Sequence, residues 1–297
     1  MLDKKIILFV YSQFGFDTLK HLFEKVYTIA AVFTHTDNKS EHIWFPSVID
    51  YAKSCGIPVF ISEKHDLNQH IQMLKDINPH IILSVYYRYL IPLSILGIPA
   101  YGAYNIHGSI LPHFRGKAPV NWAILKGATE TGLTLHEMVE KPDAGGIIDQ
   151  KKCIINLFDT AGDIVDKMKP MLITMLDDNI DTLLNGTAQK TPFNIQDGSY
   201  FSGRTEKDGE INPDTMNNFD VHNLVRSLQP SPQYPAAFLT SHNNIEAKLL
   251  IHKTTPLEQP DSQNLVADDH FNHLYYENKK TPWLLCKGNT WLKIIRT

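Results

Sequence analysis

The amino-acid sequence predicts an α/β fold, a doubly wound, mainly parallel sheet followed by a small β-rich domain. Three observations carry this expectation. Short β-branched runs alternate with helix-like segments from Lys5 to about Tyr101, several of those runs are continuously apolar, and the composition turns polar and turn-rich after Gly186.

In chain order the alternation reads KIILFVY, FDTLKHLFEKV, TIAAVFTH, PSVIDYAKSCG, IPVFIS, LNQHIQMLKDIN and HIILSVYY. Runs such as IILFVY and IILSVYY lack the period-two polarity of a half-exposed strand, so both faces must be covered, as in a parallel strand between helices. The segment after the first strand, SQFGFDTLK, has one glycine and no GxGxxG, which disfavours a nicotinamide enzyme. AYGAYNIHGSILP and TGLTLHEMVE read as further strands, the second ending in the turn KPDAGG, with both ends expected at one crevice. DTAGDIVDKMKPMLITMLDDNIDTLLNG has an Asp/Thr start, apolar positions at helical spacing and a glycine stop, and Pro170 is expected to kink or split it. The domain boundary is placed near Gly198, giving residues 1–197 and 198–297. Past it, VHNLVRSL is a short amphipathic piece, and AAFLTSHNNIEAKLLIHKTT, HLYYEN and TPWLLCKGNTWLKIIRT suit a small barrel or sandwich.

Composition narrows the function classes. A chain of 297 residues with 43% hydrophobic residues has ample material for two cores. A formal net charge of -4 argues against a nucleic-acid backbone as the main ligand, because that affinity comes from cations releasing counterions. Cys55, Cys153 and Cys286 form no CxxC pair and are expected as buried free thiols. The apolar run from Ile6 to Tyr11 is too short for a signal-peptide core or a membrane span, so the chain is expected to remain in the cytoplasm.

The candidate chemistry lies in two places. Asn105 and His107 are one residue apart, so on a strand both side chains share a face while Ile106 points into the core. An imidazole shuttles protons near neutral pH, and a carboxamide donates to an oxygen that becomes negative; together they suit acyl transfer to an amine. Asp143 sits in KPDAGG, where Pro142 and two glycines hold a turn from which a carboxylate could reach His107. Taken alone, the pair reads rather as a hydrogen-bonded structural couple and Asp143 as an Asx-turn cap; it is their combination that points to chemistry. Between them GSILPHFRGKAPVNWAILKG, with Gly108, Pro112, Gly116 and Pro119, prescribes a long shaped loop of the kind that wraps ligands. His35, His42, His65, His70, His80, His113 and His136 show no HExxH or paired-ligand spacing, and surface or loop roles are expected for them; no metal site is predicted. Arg88, Arg115 and Arg204 are the best cations for a pyrophosphate.

These motifs, in this order, resemble the formyltetrahydrofolate-dependent formyltransferase family: Asn105, His107, Ser109-Ile110-Leu111-Pro112, Arg115-Gly116, Pro119 and Asp143. TLHEMVEKPDAGGII, VYYRYLI, VFTHTDN, GRTEKDG and HNLVRSL are closer still to its UDP-4-amino-4-deoxy-L-arabinose formyltransferase and related nucleotide-sugar N-formyltransferase branch, over most of residues 5 to 240. The resemblance implies a Rossmann-like catalytic domain followed by a small OB-like barrel, with Asn105, His107 and Asp143 as the catalytic trio. It implies N10-formyltetrahydrofolate as co-substrate, held by Tyr89, Leu90 and Ile91, by the stretch Val139, Glu140, Lys141, Pro142 and Asp143, and by Lys117, where the family has an arginine. Lysine offers a point charge where arginine offers a planar fork, so that contact is altered here. A nucleotide-linked amino sugar is the implied acceptor, with Arg88, Gly108, Ser109, Arg115 and Arg204 as its contacts, no nucleic acid or membrane partner, and a homodimer. The alternatives are methionyl-tRNA formyltransferase, which must grip RNA, and, in another class, a catalytically idle nucleotide-sugar-binding protein.

Overall fold

The computed structural model describes residues 4–36, 45–61, 67–229 and 236–296. The chain forms two compact units, one from Met1–Gly116, Thr131–Cys153 and Asp166–Phe201, the other from Lys117–Glu130, Ile154–Val165 and Ser202–Thr297.

The first half of the chain supplies β1 (Lys5–Val10), α1 (Ser12–Glu24), β2 (Thr28–Thr34), α2 (Val48–Ser54), β3 (Val59–Ile61), α3 (Ile71–Ile77), β4 (Ile81–Val85), α4 (Leu93–Leu96) and β5 (Ala103–His107). There follow β6 (Arg115–Gly116), α5 (Pro119–Leu125), β7 (Glu130–Glu137), β8 (Ile147–Ile154), α6 (Ala161–Leu184) and β9 (Tyr200–Phe201). All of these except α5 contribute to the first unit, whose seven-stranded sheet has the order β3-β2-β1-β4-β5-β7-β8. β3, β2, β1, β4 and β5 are mutually parallel. Ile6 to Val10 have no solvent exposure, the two-sided burial expected of a continuously apolar central strand. Phe33 stacks between Phe9 and Phe60, with ring centroids 4.5 and 5.1 Å away, and anchors one face of the core. Strand order reverses between β1 and β4, and in such sheets ligands bind outside the carboxyl ends of the strands near that switch.

β7 departs from the expected geometry. It runs antiparallel to β5, pairing Tyr104 with Glu137 and His107 with Thr134, so the two strands end at opposite edges of the sheet. Met138 N–H extends the ladder by donating to Ala103 O at 2.8 Å, Glu137 N–H donates to Gly146 O at 3.0 Å where the chain turns into β8, and the intervening loop folds back far enough to bring Asp143 Oδ1 within 3.6 Å of His107 Nδ1. Helix α6 also differs from expectation, because it is continuous through Pro170. A mid-helix proline costs about 3 kcal/mol. Burial of Met168, Leu172, Met175 and Leu176 on one stripe offsets that cost, and a reciprocal Thr160–Asp163 cap starts the helix.

The second unit contains α5, α7 (Asn218–Ser227), β10 (Ala237–Thr240), β11 (Lys248–Ile251), β12 (Lys253–Thr255), β13 (Leu265–Ala267), β14 (Leu274–Glu277), β15 (Thr281–Cys286) and β16 (Thr290–Arg296). β12-β16-β15-β14-β13 is an antiparallel five-stranded sheet, and β10-β11 a separate antiparallel pair. Asn217 caps α7 in a box with Asp220, which lets Val221, Leu224, Val225 and Leu228 face Leu239, Ile251, Leu284, Leu292 and Ile294 in one apolar core. Cys153 and Cys286 are buried free thiols as expected, whereas Cys55 is only half-buried. No helix among the described residues is long and apolar enough to cross a membrane.

Candidate active site

Asn105 and His107 occupy alternate positions at the carboxyl end of β5. Ile106 between them is 1% exposed and belongs to the core, so the two polar side chains share the opposite face, as the two-residue spacing requires. β4 and β7 flank them: Ser84 lies opposite Asn105 on one side, His136 opposite Asn105 and Thr134 opposite His107 on the other.

The imidazole of His107 is buried and its tautomer is fixed by a carbonyl. Nε2 lies 3.0 Å from Phe114 O, which can only accept, so Nε2 carries a proton and Nδ1 is left facing Asp143. Nδ1 stands 3.6 Å from Asp143 Oδ1, within ion-pair range but longer than a hydrogen bond. The carboxylate of the KPDAGG turn thus reaches the ring without a direct hydrogen bond to it. Asp143 is oriented by the backbone instead: Gly116 N–H donates to its Oδ2 at 2.9 Å. Burial alone would raise the Asp143 carboxyl, but His107, His136, the Gly116 N–H and Arg115 more than offset it and hold it below the ordinary carboxylate range. Asp143 is thus an anion at neutral pH.

His136 joins this cluster, although its spacing carried no metal-ligand or catalytic signature. It is 1% exposed, and burial pushes its pKa down to about 4. Nδ1 donates to Glu137 O at 2.8 Å, and Nε2 lies 3.1 Å from Asn105 Nδ2 and 3.7 Å from Asp143 Oδ1. His35 is buried as well, with Nε2 accepting from Arg88 N–H at 3.0 Å and its ring stacked on Tyr87 at 4.4 Å. For His136, buried within β7, the expectation of a surface or loop place fails; His35 does lie in the loop after β2, but it is buried. His70 and His80 are half-buried and His113 is exposed, while His42 and His65 lie outside the described residues.

The loop from His107 to Gly116 is held from both sides. Inside, Ser109 is fully buried and its hydroxyl donates to His113 O at 2.7 Å, while Thr134 Oγ1 donates to Ser109 O at 2.6 Å and accepts from Leu111 N–H at 3.1 Å. Outside, residues 194–201 run along the loop as a strap. Phe114 N–H donates to Ser199 Oγ at 2.9 Å, Arg115 N–H to Ser199 O at 2.9 Å, and β6 pairs with β9. Gly116 has φ +95° and a Cβ there would stand 2.2 Å from Phe201 O; at Gly198 it would stand 1.9 Å from Pro112 O. Only glycine allows strap and loop to approach so closely. Sequence reasoning passed over the strap, whose signal was a glycine in an otherwise polar stretch.

The remaining expected contacts divide by exposure. Leu90 is 74% exposed, Tyr89 and Ile91 are half-buried, and Tyr89 meets His35 edge-on at 4.8 Å. Val139, Glu140 and Lys141 are exposed and Pro142 half-buried. Arg88 is exposed, with its guanidinium 5.3 Å from the centre of the Tyr11 ring. Gly108 is buried, and Arg115 is buried with Nη2 donating to Ile195 O at 3.3 Å. In the second unit Lys117 is exposed, whereas Arg204 is buried against Trp122, with Nη1 on Ser227 Oγ at 2.9 Å and Nη2 on Asp208 O at 2.8 Å. The Ser109 hydroxyl and the two Nη atoms of Arg204 are therefore committed to the protein itself. Among the described residues no three His, Cys, Asp or Glu side chains are grouped to hold a metal ion.

A mainly parallel sheet thus brings a carboxamide and an imidazole on one strand together with an ionised carboxylate from a neighbouring loop, a combination suited to group transfer. Residues 20–176 match the formyl transferase family model, and the chain belongs to that family. The same fold recurs in WlaRD, a sugar 3N-formyl transferase solved with dTDP and 5-N-formyl-THF, at 21% identity and TM-score 0.68 over 99% of this chain and 97% of that one. An N-formyltransferase from Helicobacter canadensis, in complex with folinic acid and dTDP-3-aminofucose, aligns over 100% of both chains at 20% identity and TM-score 0.68. A 4-N formyltransferase from Francisella tularensis covers 84% of this chain and 96% of its own at 20% identity and TM-score 0.67.

Proposed function

We propose that this protein is a nucleotide-sugar N-formyltransferase that moves the formyl group of N10-formyltetrahydrofolate to the amine of an amino-deoxy sugar nucleotide, a 4-amino sugar being favoured, for surface polysaccharide or lipid A modification. The observation that carries the reading is the clustering of His107 with Asp143 at 3.6 Å beside Asn105, on a formyl transferase scaffold. The ligands of WlaRD and of the Helicobacter canadensis enzyme support the same donor and acceptor classes.

In this mechanism the neutral amine attacks the formyl carbon and the oxygen becomes an oxyanion, whose collapse restores the carbonyl as the bond from the formyl carbon to folate N10 breaks and tetrahydrofolate leaves. Asn105 Nδ2 supplies an N–H to that oxygen, a donor preset where charge develops. The amine must lose a proton and folate N10 must gain one. His107 is the group on that path, and with Nε2–H committed to Phe114 O the proton arrives at and leaves from Nδ1. Asp143, ionised and facing Nδ1, stabilises the imidazolium formed between the two transfers. The mechanism calls on no metal. Tyr89, Leu90, Ile91 and Val139 to Asp143 form the folate side in this reading. Arg88, Gly108 and Arg115 face the sugar nucleotide, and Ser109 acts through the backbone it holds. The first unit is read as the catalytic domain and the second as an OB-like domain, to which the antiparallel five-stranded sheet lends support. A cytoplasmic homodimer completes the proposal.

A mass-spectrometric screen of UDP-, dTDP- and GDP-linked amino sugars with N10-formyltetrahydrofolate tests it. Gain of one formyl group by a sugar nucleotide is expected; a blank screen alongside formylation of charged tRNA would overturn it.

A further inference from the structure

We infer that His136 is a positioning residue for the transfer: it selects which end of the Asn105 carboxamide faces the reacting carbonyl. The inference rests on the formyl-transfer reading above and adds to it a residue with no role in the trio.

A carboxamide has two ends of nearly equal size and opposite polarity, so an oxyanion donor on an asparagine is useful only if something forbids the flipped rotamer. On this sheet that restraint comes from the residue directly across the β5–β7 pair. Asn105 and His136 are register partners, and Asn105 Nδ2 lies 3.1 Å from His136 Nε2. The polarity of that bond follows from the other side of the ring. His136 Nδ1 lies 2.8 Å from Glu137 O, a carbonyl that only accepts, so Nδ1 holds the ring proton. With the imidazole 1% exposed and neutral near pH 7, Nε2 has a lone pair and no hydrogen. Nε2 therefore accepts, Asn105 must present its NH₂, and the second N–H of that group remains for the substrate oxygen. A flipped carboxamide would set Oδ1 against the Nε2 lone pair and lose the bond.

The same lone pair shapes the charge pattern. Asp143 Oδ1 faces both rings, at 3.6 Å from His107 Nδ1 and 3.7 Å from His136 Nε2. Because Nε2 of neutral His136 offers no proton, the anion's field acts on His107, the ring whose protonation the reaction uses. A protonated His136 would compete for Asp143 and turn its N–H toward Asn105, reversing both effects.

Two measurements test this. In unliganded wild-type protein, nitrogen NMR of the histidine side chains should show His136 neutral at pH 7 with its proton on Nδ1, a readout independent of any substrate. A proton on Nε2, or a charged ring at that pH, would overturn the inference whatever the enzyme formylates. In turnover, His136→Leu should lower kcat by about 30-fold or more while KM for both substrates stays within about threefold, the pattern of a lost transition-state donor. His136→Gln, whose carbonyl accepts, should recover most of the rate. Adding Asn105→Ala to His136→Leu should cost far less than in the wild-type background. An additive pair, or an unchanged kcat in His136→Leu, would overturn the inference. Absence of formyl transfer by the wild type would instead sink the functional reading and leave the NMR result to stand or fall alone.

Discussion

The backbone N–H of Gly116 donates to Oδ2 of Asp143 at 2.9 Å, so the carboxylate of one loop is aimed by the main chain of another. Both residues have positive φ, +95° for Gly116 and 53° for Asp143. Strained backbone of this sort persists where the surroundings over-determine it. Here the surroundings are the strap at 194–201 and the paired strands beneath the loop.

Gly116→Ala should damage the site through that loop. Its Cβ would fall 2.2 Å from Phe201 O, so β6 must separate from β9 and the N–H must leave Asp143. A loss of more than about 1 kcal/mol of stability is expected, with a fall in kcat that exceeds any change in KM. Denaturant melts with steady-state kinetics on the same preparation check this; unchanged kcat would show that Asp143 needs no backbone donor.

Asp143→Asn preserves shape and removes charge. Formyl transfer should slow by about 100-fold or more, since a neutral amide stabilises an imidazolium poorly. Because the wild-type carboxyl is held below its ordinary range, the stability it contributes is present above that range and is lost as pH falls through the depressed value. Acid-unfolding curves of the variant should accordingly show a smaller loss at the low-pH end. Identical curves would mean that the carboxylate has no favourable partners in the folded state.

Two buried histidines should make the protein acid-sensitive. Burial pushes both His136 and His222 down to about 4. In the second unit burial, and after it the Arg226 charge, keep His222 neutral against the opposing pull of Leu157 O, which accepts from Nε2 at 2.9 Å, while the Thr254 hydroxyl lies 2.8 Å from Nδ1. The unfolded chain binds more protons than the folded one between about pH 6.5 and 4, so stability is full above that window and falls as pH drops through it. Each ring contributes on the order of 2 kcal/mol. Denaturation midpoints recorded from pH 7 to pH 5 should decline steadily, and His222→Gln should flatten the decline. Equal slopes in the two proteins would contradict the assignment.

The strap predicts a defect at a distance in sequence. Ser199→Ala removes the acceptor of the Phe114 N–H, and a lost neutral bond of this kind costs about 1 kcal/mol. Since Phe114 O accepts from His107, kcat should fall modestly while folate binding holds. A change in KM alone would place the strap outside the catalytic loop's support.

Much of this was readable from residues. The apolar runs at Ile6–Val10 and Ile81–Val85 announced central parallel strands, and they are fully covered. The NxH spacing placed Asn105 and His107 on one face, and the turn residues of KPDAGG marked where Asp143 would lie. What escaped reading depends on pairing partners, which a linear pattern does not encode. Period-two spacing gives the faces of β7 but not its direction, so its antiparallel course and the fold-back of residues 138–146 were invisible. His136 looked idle because its meaning comes from the residue across the strand pair. Residues 117–130 and 154–165 join the second unit although their local patterns match the first.

The most direct test of the account is a single-turnover assay with N10-formyltetrahydrofolate and a dTDP- or UDP-linked amino sugar, comparing wild type with a folded His107→Ala variant by mass spectrometry of the nucleotide sugar. The account predicts a formylated product from the wild type and almost none from the variant. Equal product from the two would contradict it.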